Sequence, residues 1–246
     1  MEEAYQILDY LPLSFKTPSE EEYIRFLWDS FEVNYNAEKY PFAFIAFNML
    51  YMSFLYFEVW QIKVNRRKDF EMAMVGFNSE RENTLLKSTS PFTFGELPES
   101  SFFRFLKILN CENDRIGNFA EIIDHRNNAA HSNGNIFFNS QIAIDEKISE
   151  VVRHVQAIQT LSKPIIETCF IDFLKSSWNA DEREYFDDEE QIREALVHKN
   201  YLSQKDINSM RRFRISSLEA EENFEEIKSL FYLFRSLYKV DDETDK

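Results

Sequence analysis

The chain has 246 residues, with 28 basic against 43 acidic side chains and a formal net charge of −15. It is 44% hydrophobic and 16% aromatic, too apolar for a disordered chain, and its 4 glycines and 6 prolines are too few for the turns of a β-sandwich or barrel. Two distant cysteines, Cys111 and Cys169, cannot build a disulfide framework or a four-cysteine zinc site, and the acidic balance repels polyanions unless the basic residues gather locally.

The opening segment, MEEAYQILDYLPLSF, is acidic and has no long apolar core, so it does not read as a secretory signal. The expectation is a reduced, cytoplasmic, all-α protein. Ser19 followed by Glu20, Glu21 and Glu22 predicts a capped helix start, running to about Val33, with Tyr23, Phe26, Leu27 and Phe31 at helical spacing. Next comes the most apolar stretch, Tyr40 to Trp60, interrupted only by Asn48, Ser53 and Glu58. Its length is near that of a membrane span, and Lys63, Arg66, Arg67 and Lys68 follow it as a cytoplasmic anchor would. Asn48 and Glu58 are costly in lipid, so the stretch is read as a central buried helix of a bundle, with no membrane.

Residues 78–101 read as a long surface loop, rich in Ser, Thr and Asn with two prolines and Gly95. A short helix is expected over Phe102–Leu109 and a longer one over Asp114–Ala130, stopped by Asn133-Gly134. Residues 139–175 carry a long helical pattern with a break expected at Pro164. After Trp178 the composition turns acidic. Helices are then expected at about 188–199, 204–213 and 218–239. The last has an apolar stripe of Phe224, Ile227, Phe231, Phe234 and Leu237, read as core or partner surface. The tail DDETDK reads as frayed.

The segment with chemical content is Ile122-Ile123-Asp124-His125-Arg126-Asn127-Asn128-Ala129-Ala130-His131. Asn127 and His131 share a helix face, and Asp124 joins them one turn earlier. Arg126 falls in the opposite, apolar stripe with Phe119, Ile122 and Ile123. A guanidinium cannot be buried alone, so it must meet a carboxylate, a second chain, a phosphate or a water-filled cleft. Glu58 and Asn48 are candidate neighbours. Arg126 and His131 stand about 140° apart on an ideal helix. A shared site therefore needs the helix to loosen near His131, or two copies to face each other.

Arg126, directly followed by Asn127 and five positions before His131 at a helix end, resembles the R-x4-H signature of the HEPN superfamily. The aromatic helix FAFIAFNMLY, with Asn48 inside it, resembles the superfamily's central helix. The resemblance spans roughly residues 20–175. It implies an HEPN-like bundle over 1–178, with a helical C-terminal extension of unmatched character over 179–246. It also implies a homodimer with the motifs at the interface, and metal-independent cleavage of RNA without a cofactor. On this resemblance Arg126 holds the scissile phosphate, His131 transfers protons and Asn127 orients the site, with Asn48 and Asp124 in support. The products are 2′,3′-cyclic phosphate and 5′-hydroxyl ends. A toxin or antiviral-defence role follows, restrained by a regulatory or antitoxin-type partner protein. Some toxin members carry a modified tyrosine two positions after the histidine; here that position is Asn133.

Two basic clusters are candidate RNA contacts: Lys63, Arg66, Arg67 and Lys68, and Arg211 and Arg212 with Arg214. Either can equally be a solvated face, or pair with the acidic run 181–190. His125 is set aside as a bystander and His154 and His198 as ordinary helix residues. His125, His131 and Asp124 match no usual zinc spacing. There is no glycine-rich phosphate loop, H-E-x-x-H or G-x-S-x-G.

Overall fold

The computed structural model describes residues 1–131 and 136–239, leaving aside the Ser100 side chain. Every element among them is helical, apart from isolated bridges at Pro12–Ser203 and Val75–Phe77. The chain is all-α.

A 3-10 helix, Glu2–Tyr10, buries Ala4, Ile7 and Tyr10. Helix α1 spans Pro18–Asn36, and its cap is Thr17 rather than Ser19. The Thr17 hydroxyl accepts from the Glu20 amide at 3.3 Å, while the Glu20 carboxylate accepts from the Thr17 amide at 3.4 Å. Pro18, with its φ already helical and no amide to satisfy, fills the first position and moves the cap back by two residues. Ile24, Leu27, Phe31 and Tyr35 form the buried face of α1. Phe26, expected among them, points outward and is 64% exposed.

Helix α2 spans Tyr40–Asn65, past the expected end at Trp60. It is long and apolar enough to cross a membrane, but 78% of its most apolar window is buried inside the protein. It packs against α1 on one side and later helices on the others, so almost no face is left for water.

Segment 78–101 is not a loop. After α3, Arg67–Ala73, comes α4, Ser79–Lys87, whose N-terminus is capped by Asn78 accepting from the Arg81 amide at 2.9 Å. A 3-10 turn, Pro91–Glu96, and a short α5, Glu99–Phe102, follow. The polar composition hid scattered anchors: Leu85, Phe94 and Leu97 are all buried. A 3-10 helix at Phe103–Leu109 ends at Asn110, whose φ of 58° is left-handed.

Helix α6 spans Asn113–Ala130, and the chain leaves it at His131 in extended conformation (φ −81°, ψ 138°). The Asn133-Gly134 stop lies outside the described residues. Helix α7 runs unbroken over Gln141–Ser177, with Pro164 inside it. Pro164 and Thr160 are both exposed, so this turn of α7, where the proline removes one helical donor, lies on the solvent side.

In the C-terminal region, α8 (Asp188–Glu190) continues into a π-helical stretch, Gln191–His198. Helix α9 (Gln204–Arg211), a 3-10 turn at Ile215–Leu218 and α10 (Phe224–Leu237) complete the chain. The apolar stripe of α10 is core, with Ile227, Phe231 and Phe234 buried and Phe224 and Leu237 packed against them. The tail DDETDK lies outside the described residues.

Two buried apolar clusters share α7. The first takes its residues up to Ile165 and the second begins at Ile166, joining Phe170 and Leu174 to Leu196, Ile207, Phe231 and Phe234. The second core thus starts on α7, ahead of the composition shift at Trp178.

Candidate functional site

The buried face of α6, formed by Phe119, Ile122 and Ile123, lies on α2. The Tyr51 hydroxyl donates to the Phe119 carbonyl across this contact at 3.2 Å. Arg126 sits one turn beyond Ile122 on the same stripe, at the rim of that face. Its guanidinium pairs with the Glu99 carboxylate of α5, the two side chains being 24% and 31% exposed. Among the described residues the buried Arg126 Nε has no partner. The charge that had to meet something meets Glu99. Glu58, the partner weighed from the sequence, instead takes a hydrogen bond with Ser162.

Tyr56 of α2 belongs to the same neighbourhood. Burial first, then the Glu99 charge, pushes its phenol up to about 12, and Arg126 partly offsets this. Tyr56 also lines an open pocket of about 530 Å³ with Ser19, Tyr23, Phe92 and Gly95. Phe92 meets Tyr23 and Tyr56 edge-on, at 5.2 and 6.3 Å between ring centres.

Asn127 is half-buried, and its carbonyl accepts from the His131 amide at 3.0 Å. His131 and Asp124 are exposed. Among the described residues no hydrogen bond or ion pair joins Arg126 to His131. Asn48 is 1% exposed on α2, and its Nδ2 has no partner. The helix end therefore opens His131 to solvent while Arg126 stays on the rim of the core.

The basic clusters divide. Lys63 is not a surface cation. It is 6% exposed, donates to the Ser88 carbonyl at 2.7 Å and hydroxyl at 2.6 Å, and lies 4.5 Å over the Trp60 ring. Burial, then Arg67 and Lys16, push its ammonium down to about 8. Arg66 pairs with Asp69, and Arg67 with Glu71 and the Leu86 carbonyl, whereas Lys68 is exposed. Arg211 donates to the Arg235 and Tyr238 carbonyls, closing the C-terminal end of α10. Arg212 beside it is exposed, and Arg214 donates to the Ser216 hydroxyl at 3.2 Å.

One grouping escaped the sequence reading. His125 Nε2 lies 3.1 Å from Lys147 Nζ, which donates to Glu150 at 2.7 Å. His154 stands beside them on α7, edge-on to Phe119 at 5.0 Å. Burial lowers the His154 proton affinity, and Glu150 works against that. The Lys147, Glu150 and His154 spacing of three and four marks one face of α7, but nothing in the sequence says that this face meets His125. Among the described residues no group of three or more His, Cys, Asp or Glu is gathered for a metal ion.

No family model, curated protein or solved structure matches this chain.

Proposed function

We propose that this protein is a metal-independent, HEPN-like endoribonuclease of the toxin or antiviral-defence kind. It works in the cytoplasm as a homodimer under the restraint of a regulatory partner. One observation carries the reading. Arg126, a permanent cation on the rim of the α6–α2 contact, is held among the described residues by the Glu99 carboxylate, while His131 stands open to solvent at the end of the same helix.

The chemistry needs little from the protein. RNA supplies its own nucleophile, the ribose 2′-hydroxyl. Its oxygen attacks the adjacent phosphorus, its proton passes to a base, and the 5′-oxygen leaves with a proton. The ends are a 2′,3′-cyclic phosphate and a 5′-hydroxyl. An imidazole titrates near neutrality and serves either proton transfer, worth roughly 10²- to 10⁴-fold. Arg126 offers paired donors to the phosphate oxygens, exchanging the Glu99 oxyanion for the substrate's. Asn127 orients the group beside it. A second chain across the motif brings its own Arg126 and His131 to the same cleft.

Purified protein incubated with total RNA and EDTA, followed by end-group analysis, tests the reading. Cleavage leaving cyclic phosphates, abolished in Arg126→Ala and in His131→Ala with the fold intact, is the expected result. Undiminished cleavage by His131→Ala refutes it. A second reading, a non-catalytic HEPN-like module binding RNA, a nucleotide or a protein partner, is favoured by the neutralisation of Arg126 by Glu99. It predicts binding without product under every condition.

A further inference from the structure

Where the two apolar cores meet, a buried polar seam joins α2, α7 and the start of α9. Glu58 of α2 and Asp206 of α9 are 3% and 1% exposed. Burial raises the proton affinity of Asp206, and four uncharged donors work against that. The Ser203 amide and hydroxyl lie at 2.9 and 2.8 Å, and the Gln61 and Gln159 amides both at 3.2 Å. Among the described residues Glu58 has only the Ser162 hydroxyl.

The shortage of donors around Glu58, set against the four on Asp206, favours a proton here. The Ser162 hydroxyl owns one hydrogen and lies 3.2 Å from the Ile158 carbonyl, which can only accept. Both contacts are satisfied when Glu58 is a carboxylic acid that donates to Ser162, and Ser162 donates to Ile158. Of the two buried carboxyls Glu58 has fewer donors, so ionising both would leave Glu58 the less compensated charge in a dry pocket.

The charged neighbours do not cancel it. From α9, Lys205 turns away to Asp9 and lies over Tyr10 of the N-terminal 3-10 helix. From α7, Lys163 turns to Glu167, and Cys169 is buried with its thiol pushed up to about 12 by burial, Asp172 and Asp206. From the connection before α9, Lys199 acts on Cys169 and on Lys16, while Tyr201 donates to Glu20 of α1.

We propose that Glu58 holds a proton in the docked state, and that releasing it accompanies undocking of the 199–211 segment from α2 and α7. The seam is then a pH-sensitive latch between the two cores. The same segment is held by Trp60 Nε1 donating to the Lys199 carbonyl at 3.3 Å and by Asn65 donating to Asn200 at 3.1 Å. Burial first, then Asp206, raises Glu58 from 4.5 to about 8. The sign follows. The docked state binds more protons than the open state between those values, so docking is firmest below about pH 4.5, weakens as pH rises, and levels off above about 8.

The test uses the full chain. Infrared spectra at pH 7 should show a protonated-carboxyl band that disappears by pH 10 and is absent from Glu58→Gln. Hydrogen exchange, corrected for intrinsic rates, should show opening of 199–211 rising by up to about tenfold per pH unit between pH 5.5 and 8, relative to peptide 144–158. Glu58→Gln should flatten that dependence. Should Glu58→Gln fail to fold, the wild-type titration decides alone. Absence of the band at pH 7, or pH-independent relative exchange in the wild type, overturns the proposal.

Discussion

Replacing Glu99 with Gln isolates the interaction on which the site rests. The substitution keeps shape and hydrogen-bonding capacity but leaves the Arg126 guanidinium, with its Nε already unpartnered, facing a neutral group. A hydrogen bond to a charged group contributes about 1.5–3 kcal/mol. With the two side chains 24% and 31% exposed, water screens part of that, leaving a cost of about 1–2 kcal/mol. For a chain of this size the melting temperature should fall by about 2–8 °C. Tyr56 supplies a second readout. Losing the Glu99 charge while keeping Arg126 removes a raising influence and leaves a lowering one, so one tyrosine should ionise at lower pH than before. Thermal denaturation and ultraviolet titration of tyrosinate measure both. The freed guanidinium should also bind RNA more tightly, with a salt slope steeper by about one phosphate contact. The double variant Arg126→Met/Glu99→Gln should cost less than the sum of the two singles by about 1 kcal/mol, because neither charge is left without its partner. An unchanged melting temperature, an unchanged tyrosine titration and additive singles would show that Arg126 does not rest on Glu99.

Lys63→Met should leave RNA affinity and its salt dependence unchanged, since the ammonium is committed to Ser88; a nitrocellulose-filter titration at several salt concentrations checks this. Phe170→Ala should cost about 3–5 kcal/mol in a urea melt, because its fully buried ring joins α7 to Phe213, Phe231 and Phe234 in the second core. Thr17→Ala should cost about 1 kcal/mol in the same assay, through loss of the α1 cap. Pro164→Ala should leave the far-ultraviolet circular dichroism unchanged, since α7 already runs through that position.

What could be read in advance followed local rules, and what could not depended on neighbours far along the chain. An uninterrupted apolar run marks α2 because length and apolarity are local signals, and the Asn-Gly pair after α6 is a local stop signal. The same reasoning took 78–101 for a loop, since its polar residues outnumber the anchors; Leu85, Phe94 and Leu97 become core only when α1 and α2 form their wall. Pro164 was read as a break because the sequence does not say which side of α7 faces water. At the site the contrast is sharper. Electrostatics required a partner for Arg126, and a partner exists, but nothing within the motif pointed to Glu99, 27 residues upstream in the misread segment. Lys63 shows the converse error. Four cations in six residues look like one basic patch, yet helical geometry sends Lys63 inward to Ser88 and leaves Lys68 outside. Charge counted along a chain predicts a surface only after the helix has chosen which side to bury. The same holds for Glu58, which looked like an anion available to Arg126. Its place on the inward side of α2, against Ser162, makes it an acid instead.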